Sequence, residues 1–169
     1  IADSSVQGIE GPVYPGTCRA APPEGRGVKA LRVRTDGANV EFDDLWQGRI
    51  ARKLDTDYGD FVVRRADGLF AYQLAVSVDD AAQSISEVVR GADLLESTPR
   101  QILLQNLLGL PTPRYAHLPV AVNAQGEKLS KQTLAAPVDA KKPLAMLIRV
   151  LDFLGQSPPA DLMDADLAS

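Results

Sequence analysis

The chain has 169 residues, 45% of them hydrophobic and 24% charged, with a formal net charge of -4. This is ordinary composition for a globular protein with one sizeable core, and it excludes a disordered polyelectrolyte. The acidic balance argues against a protein that coats nucleic acid nonspecifically, although Arg32, Arg34, Arg49, Arg52, Lys53, Arg64 and Arg65 crowd the first half and leave room for a locally basic groove.

The opening Ile1-Ala2-Asp3-Ser4-Ser5 has neither a basic nor an apolar leader region, so it is expected to be the middle of a longer chain and not a signal peptide. A single cysteine, Cys18, excludes an internal disulfide and points to a reducing compartment, with the cytoplasm as the expected location. Apolar runs such as Leu69 to Val78 and Ile102 to Leu110 fall short of the roughly 20 residues of a membrane span.

In chain order, Gly8 to Arg26 is rich in Gly and Pro and is expected to be a loop or small irregular insertion. Val28 to Arg34 alternates as a half-buried strand does. After a turn at Thr35-Asp36-Gly37, Asn39 to Phe42 continues a small antiparallel meander through Trp46 and Ile50. Phe61 to Arg65 reaches the turn Ala66-Asp67-Gly68, and Leu69 to Val78 is expected as a strand buried on both faces, with Asp79 and Asp80 starting a short helix. Ile85 to Val89 predicts a strand ending at Arg90-Gly91. Thr98-Pro99-Arg100-Gln101 then supplies a capping hydroxyl, a first-turn proline and a Gln three residues after the cap, for a helix closed by Gly109 with Ile102, Leu103, Leu107 and Leu108 on its apolar face. Arg114 to Val122 is a further strand, Asn123 to Gly126 a turn, and Pro143 to Phe153 a helix stopped by Gly155 and Pro158. The order is α/β.

Lys128-Leu129-Ser130-Lys131 can bring two ammonium groups onto a polyphosphate and stabilise charge as pyrophosphate leaves. Taken alone, an exposed basic loop is the commoner meaning. Its context is His117-Leu118-Pro119 at a strand end about ten residues upstream. Further upstream lie Phe70 to Asp80 and then Val88 to Gln101, including Arg90-Gly91-Ala92-Asp93-Leu94-Leu95.

In order and spacing, Asp60 to Lys131 resembles the class I aminoacyl-tRNA synthetases of the glutamyl and glutaminyl type. The resemblance implies the second half of a Rossmann-type catalytic domain, with a small β-rich or irregular insertion and a C-terminal helical extension. It divides the chain into 1–27, a loop-rich insertion; 28–60, a connecting β meander; 61–132, the Rossmann second half with substrate and ATP loops; and 133–169, the extension. It implies ATP with Mg2+ as the activating reagent, catalytic roles for Lys128, Ser130 and Lys131, and an ATP contact at His117, Leu118 and Lys131. Leu129 and Gln132 depart from the family's usual Met and Ser without removing a cation.

Tyr72 and Arg90 fall where glutamate-specific members hold the amino acid, and the chemistry suits them: a guanidinium fork can pair with a carboxylate and a phenol can add one more hydrogen bond. The plainer alternatives are a core tyrosine at a strand end and a surface arginine. Asp93 is either the family's acidic residue beside the site or a helix-start residue. His117 has no triad partners nearby in sequence and serves equally as a structural hydrogen-bonding residue.

Tyr14 and Cys18 are a negligible metal signal by themselves, since zinc wants four ligands, and a loop with a buried thiol is the simpler reading. The spelling Tyr14-x-x-x-Cys18, together with that around Tyr72 and Arg90, is similar to the glutamyl-queuosine tRNA(Asp) synthetase group, where it forms the second half of a zinc site. Zn2+ would then need ligands upstream of Ile1. That group transfers activated L-glutamate to the queuosine base in the tRNA(Asp) anticodon loop, and the resemblance implies a monomer with these partners and no membrane.

The stretch after Lys131 is expected to be too short for a helical anticodon-binding region, which the resemblance implies that group lacks. The family's first ATP signature and the residues holding the substrate amino and carboxyl groups are absent, so this chain alone is not expected to form adenylate. A truncated glutamyl-tRNA synthetase charging tRNA(Glu) and a non-catalytic nucleotide- or tRNA-binding fragment remain the alternatives.

Overall fold

A computed structural model describes residues 6–20, 30–130, 134–159 and 162. The chain separates into two compact units, 1–118 and 119–169.

In the first unit, two short strands, Gln7–Gly8 (β1) and Gly11–Pro12 (β2), form a minimal hairpin. Leu31–Val33 (β3) pairs antiparallel with Phe61–Arg64 (β6), not with its neighbour in sequence. The expected three-strand meander is therefore a two-strand hairpin, Asn39–Asp44 (β4) with Gly48–Lys53 (β5), and β3 belongs to a separate sheet. Local alternation marks a strand but not its partner, which is why the pattern alone mispaired it. The β4–β5 loop is held by Asp44, whose Oδ1 accepts the backbone N–H groups of Trp46 and Gln47 at 3.0 and 2.9 Å, and Gly48 takes the left-handed conformation that closes it at φ 78°.

Leu54–Asp57 forms a single helical turn (α1), and Tyr72–Ala82 is an eleven-residue helix (α2) where a buried strand was expected. An apolar run of this length exceeds most strands, and periodicity alone does not separate strand from helix; α2 packs against the next helix and is only part-buried, Ser77 being its buried residue, while Leu69, Phe70 and Val78 are exposed. Asp79 and Asp80 consequently lie in the last turns of α2, not at a helix start. The helix gives way at Ser84, which carries a positive φ of 56°.

Glu87–Gly91 (β7) leads through a 3-10 segment, Ala92–Ser97, into Thr98–Leu108 (α3), and the chain returns as Arg114–Leu118 (β8), parallel to β7. This βαβ unit joins the hairpin in a four-stranded sheet of order β5-β4-β8-β7, with β4 parallel to β8. Gly109 ends α3 in the left-handed conformation, as its sequence predicts.

Two other expectations for α3 need correction. Leu107 and Leu108 are exposed, and the buried face is Thr98, Pro99, Gln101, Ile102, Leu104 and Gln105. The side chains of Thr98 and Gln101 make no cap; because the 3-10 segment runs straight into α3, both are free for the site described below.

Val40, Leu54, Ile102 and Tyr115 form the core, with Phe42 meeting Tyr115 edge-on at 5.9 Å between ring centroids. Two polar clamps fasten the periphery. Asp60 accepts two hydrogen bonds from the Arg19 guanidinium at 2.7 Å each, together with the backbone N–H of Thr35, tying the segment around Tyr14 to β3 and β6. Glu96 accepts from Arg52 at 3.0 and 2.7 Å and from the Tyr58 hydroxyl at 2.5 Å, tying the 3-10 segment to β5.

In the second unit, an isolated bridge joins Val122 to Lys128 across the Asn123 to Gly126 turn, and Pro143–Phe153 forms a helix (α4) with the expected bounds. Among the described residues, no helix is long and apolar enough to cross a membrane.

Candidate functional site

Three strand ends meet at the carboxyl edge of the four-stranded sheet, where open α/β sheets collect ligands. Asp44 ends β4, Arg90 lies one residue before the end of β7, and His117 lies one residue before the end of β8; Arg90 and His117 are register partners. Their side chains meet. His117 is fully buried, with Nδ1 2.6 Å from Asp44 Oδ2 and Nε2 3.0 Å from Arg90 Nε.

Arg90 Nη2 donates to Thr98 Oγ1 at 2.7 Å and to Gln101 Oε1 at 2.8 Å. Gln101 Nε2 donates to Gln73 Oε1 at 2.9 Å, and Gln73 Nε2 donates to Ser97 Oγ at 3.0 Å. A continuous polar chain thus runs from β4 through β8, β7 and α3 to the first turn of α2.

Donor chemistry fixes the direction of every bond in this chain. Arginine only donates, so Gln101 must turn its carbonyl oxygen toward Arg90 and its amide nitrogen toward Gln73. By the same rule His117 must present a bare Nε2 to Arg90 Nε, which places the ring proton on Nδ1, facing Asp44.

Burial alone would raise the Asp44 carboxyl. The backbone N–H of Gln47, the His117 ring and the backbone N–H groups of His117 and Trp46 together outweigh it and hold Asp44 below the usual carboxylate range.

Arg90 is therefore neither a loose surface arginine nor an open fork. Its Nε and both Nη2 hydrogens are engaged by protein, and among the described residues only Nη1 has no protein acceptor. Nη1 offers two N–H groups. A two-point pairing through Nη1 and Nη2 would require Nη2 to give up Thr98 or Gln101.

Tyr72 is the first residue of α2 and is 51% exposed, which sets aside the core-tyrosine alternative. It adjoins Gln73 and so sits at the α2 end of the same chain. Leu118 is half-buried at the end of β8, and the His117 carbonyl accepts from Gln47 Nε2 at 2.8 Å. His117 is buried as a whole residue, with its N–H donated to Asp44 Oδ1 at 3.1 Å, so of the His117–Leu118 pair only Leu118 offers surface to a nucleotide.

Lys128 and Ser130 belong to the second unit, and Lys131 lies outside the described residues. Lys128 follows a turn organised by Asn123, whose Oδ1 accepts the backbone N–H groups of Gln125 and Glu127 at 3.0 and 2.9 Å. Lys128 is exposed and Ser130 half-buried.

Tyr14, bridged to Gly59, is joined to Cys18 in the turn that follows: the Cys18 backbone N–H donates to the Tyr14 hydroxyl at 2.9 Å, and Arg32 lies 4.3 Å from the Tyr14 ring centroid. Cys18 is exposed, not the buried thiol of the simpler reading. Among the described residues no group of three His, Cys, Asp or Glu side chains could hold a metal.

Sequence reasoning missed Asp44, Gln73, Thr98 and Gln101 as site residues. Asp44 carried no motif, and Thr98 and Gln101 matched a helix cap. The available signal was positional, since Asp44, Arg90 and His117 all fall at or next to a strand end.

The sequence model of the family described as tRNA synthetases class I (E and Q), catalytic domain, matches residues 22–160. The chain belongs to this family. Among the relatives of this synthetase domain, the glutamyl-Q tRNA(Asp) synthetase of Aromatoleum aromaticum is 58% identical over 167 residues, covering 99% of this chain and 53% of the relative. That of Cupriavidus metallidurans is 64% identical over 145 residues, covering 84% of this chain and 46% of the relative. The chain spans about half the length of the curated relatives it matches.

Among solved structures, the glutamate-tRNA synthetase of Elizabethkingia anophelis superposes with a TM-score of 0.55 at 28% identity, over 61% of this chain and 21% of that one. A glutamate tRNA ligase of Elizabethkingia meningosepticum, in complex with its amino acid, gives a TM-score of 0.56 at 28% identity, over 64% and 22%. The expected class I synthetase α/β fold, as part of a catalytic domain, is thereby established.

Proposed function

We propose that this chain is the C-terminal portion of an enzyme that activates glutamate with ATP and transfers it to the queuosine base in the anticodon loop of tRNA(Asp). The observation that carries the reading is the 58% identity, over nearly the whole chain, to a relative named for that substrate. In the first step the glutamate α-carboxylate attacks the α-phosphorus of ATP, and pyrophosphate leaves as glutamyl-adenylate forms. In the second, a hydroxyl of the queuosine cyclopentene ring attacks the activated carbonyl, giving the ester and AMP.

Within that chemistry the residues here divide the work. Arg90 binds the glutamate side-chain carboxylate through Nη1, its other donors being held by protein, and Tyr72 adds a hydroxyl at the near end of α2. Leu118, half-buried at the end of β8, meets the adenine, and His117, buried with both backbone groups bonded, supports it from within. Lys128 and Lys131, with Ser130 between them, stabilise the charge that develops on the leaving pyrophosphate, to which ATP-bound Mg2+ contributes. Since the chain spans about half the length of the relatives it matches, the activity belongs to the complete enzyme, which we place in the cytoplasm as a monomer.

Zinc fits in part. The Tyr14 hydroxyl, bonded to the Cys18 backbone N–H, and the exposed Cys18 thiol could supply two of four ligands, the others coming from upstream residues; such a zinc would be structural.

The test uses the complete enzyme in glutamate-dependent pyrophosphate exchange. Arg90→Ala is expected to weaken glutamate recognition by roughly 2 to 5 kcal/mol, the scale of a truncated charge pair. Lys131→Ala should lower kcat more than it raises the glutamate KM. Nuclease mapping of the glutamate to the anticodon loop supports the tRNA assignment; mapping to the 3' end would overturn it in favour of a glutamyl-tRNA synthetase. An unchanged glutamate requirement in Arg90→Ala would remove the substrate assignment.

A further inference from the structure

We infer that Asp44 and His117 are positioning residues for amino-acid recognition: Asp44 sets the His117 tautomer, and that tautomer holds the Arg90 guanidinium in its binding orientation. The inference rests on the reading of Arg90 as the residue that binds the glutamate carboxylate.

Three groups surround His117: Asp44 Oδ2 at 2.6 Å from Nδ1, and Arg90 Nε and Thr98 Oγ1 at 3.0 Å each from Nε2. One of the two at Nε2, the Arg90 Nε–H, can only donate, so Nε2 accepts only while the proton stays on Nδ1. Asp44, an acceptor-only carboxylate, requires a hydrogen at Nδ1. Both neighbours therefore select the same tautomer, and a change at either one breaks the agreement.

Arg90 turns that local choice into geometry. His117 on one side and Thr98 with Gln101 on the other grip its Nε and Nη2, so the remaining nitrogen, Nη1, is aimed by bonds and not by chance. If Nε2 carries the proton, it faces the Arg90 Nε–H or turns to Thr98 Oγ1, and in either case Arg90 Nε loses its acceptor and the guanidinium one of its grips. Such a residue at one remove from the ligand fixes protonation and orientation in the way that an acidic partner fixes a catalytic or metal-bound imidazole.

The division of bonds at Asp44 offers a clean test. All three backbone donors, Trp46, Gln47 and His117, bond to Oδ1, whereas the His117 ring faces Oδ2. In Asp44→Asn the carbonyl oxygen is pinned by the three N–H groups, so the chain path is preserved. The new amide NH2 then faces Nδ1, which must become the bare nitrogen, and the proton moves to Nε2, against Arg90.

The experiment measures glutamate and ATP KM and kcat in pyrophosphate exchange for the complete enzyme. It compares the wild type with Asp44→Asn, His117→Gln, the double variant and Arg90→Ala, and reads imidazole 15N shifts in the wild type and Asp44→Asn, with the His117 signal assigned by its loss in His117→Gln. Asp44→Asn is expected to raise the glutamate KM about tenfold or more, the scale of one lost charge-assisted hydrogen bond, with the ATP KM within about twofold. The 15N shifts should move the protonated nitrogen from Nδ1 to Nε2.

In the His117→Gln background, where no tautomer exists, Asp44→Asn should add little; full additivity of the two costs overturns the inference. So does an unchanged glutamate KM, an equal rise in both KM values, or an unchanged tautomer in Asp44→Asn. The tautomer reading keeps the test decisive should His117→Gln fail to fold, the His117 signal then being assigned by its coupling to Asp44 and Arg90 neighbours. If Arg90→Ala itself leaves the glutamate KM unchanged, the failure lies with the proposed substrate site and takes the inference with it.

Discussion

Glu96→Gln isolates the clamp that holds the β7–α3 crossover in place. Glu96 sits in the 3-10 segment between Arg90 and the Thr98–Gln101 pair, and it accepts three hydrogen bonds, two from Arg52 and one from Tyr58. The Arg52 guanidinium, with burial opposing and the Tyr58 hydroxyl assisting, holds the Glu96 carboxyl below the usual range. An amide keeps one acceptor oxygen, which can satisfy Tyr58 and Arg52 Nε, but it turns NH2 toward Arg52 Nη2. One charge-assisted bond and the ionic attraction are lost.

At full burial such a bond contributes roughly 1.5–3 kcal/mol, and breaking a buried pair costs more because it strands the partner charge. Side-chain exposures of 22% for Arg52 and 26% for Glu96 let water recover part of that. The net expectation is about 2 kcal/mol, a loss of up to about 30-fold in the folded-to-unfolded ratio. Urea unfolding should show a lower midpoint with unchanged slope. In an Arg52→Ala background the same change should cost less than half as much, because the partner is already gone. A loss below about 0.5 kcal/mol in the wild-type background would place the pair among inert surface bridges and refute the reasoning.

Acid should destabilise the protein in a defined window. Asp44, Asp60 and Glu96 all have carboxyl groups held below their ordinary values, for Asp60 by the Arg19 guanidinium and the Thr35 N–H prevailing over burial. A lowered folded-state value means the unfolded chain binds protons more readily, so this stability is fully present above roughly pH 4 to 5 and is lost as pH falls further. Asp60→Asn should flatten the acid limb of a stability–pH profile; an unchanged limb would contradict the Arg19 clamp. Gly59 has φ +67°, and a Cβ there would lie 2.4 Å from Val13 Cγ1. Gly59→Ala is accordingly expected to cost more than about 1 kcal/mol by thermal denaturation, and a neutral result would mean the Tyr14–Gly59 bridge is not held in solution. Cys18→Ser in the complete enzyme should lower bound zinc measured by atomic absorption, whereas unchanged zinc content would remove Tyr14 and Cys18 from the metal proposal.

Short-range chemistry was readable without coordinates. Gly109 ends its helix because glycine alone enters the left-handed region freely, and Pro143 to Phe153 has the length and punctuation of a helix that needs no partner to be recognised. The order of Tyr72, Arg90, His117 and the lysine loop likewise carried the family, since a linear pattern survives in a linear string.

What depends on partners distant in sequence was decided only by the fold. The run Leu69 to Val78 suits a strand or a helix, and packing against α3 selects a part-buried helix from Tyr72 onward. Strand β3 forms within the predicted segment, but over Leu31–Val33 alone and with Leu31 exposed, and it pairs with β6, because an alternating sequence does not name its neighbour. Thr98 and Gln101 spell a cap, but β7 and β8 bring Arg90 within reach and the polar groups turn to it instead. Asp44 and His117 stand 73 residues apart, and nothing local announces that one sets the proton of the other. The sequence by itself determined the family and the chemical groups available. Only the sheet that gathers three strand ends decided how those groups are aimed, since hydrogen-bond direction is a property of neighbours in space.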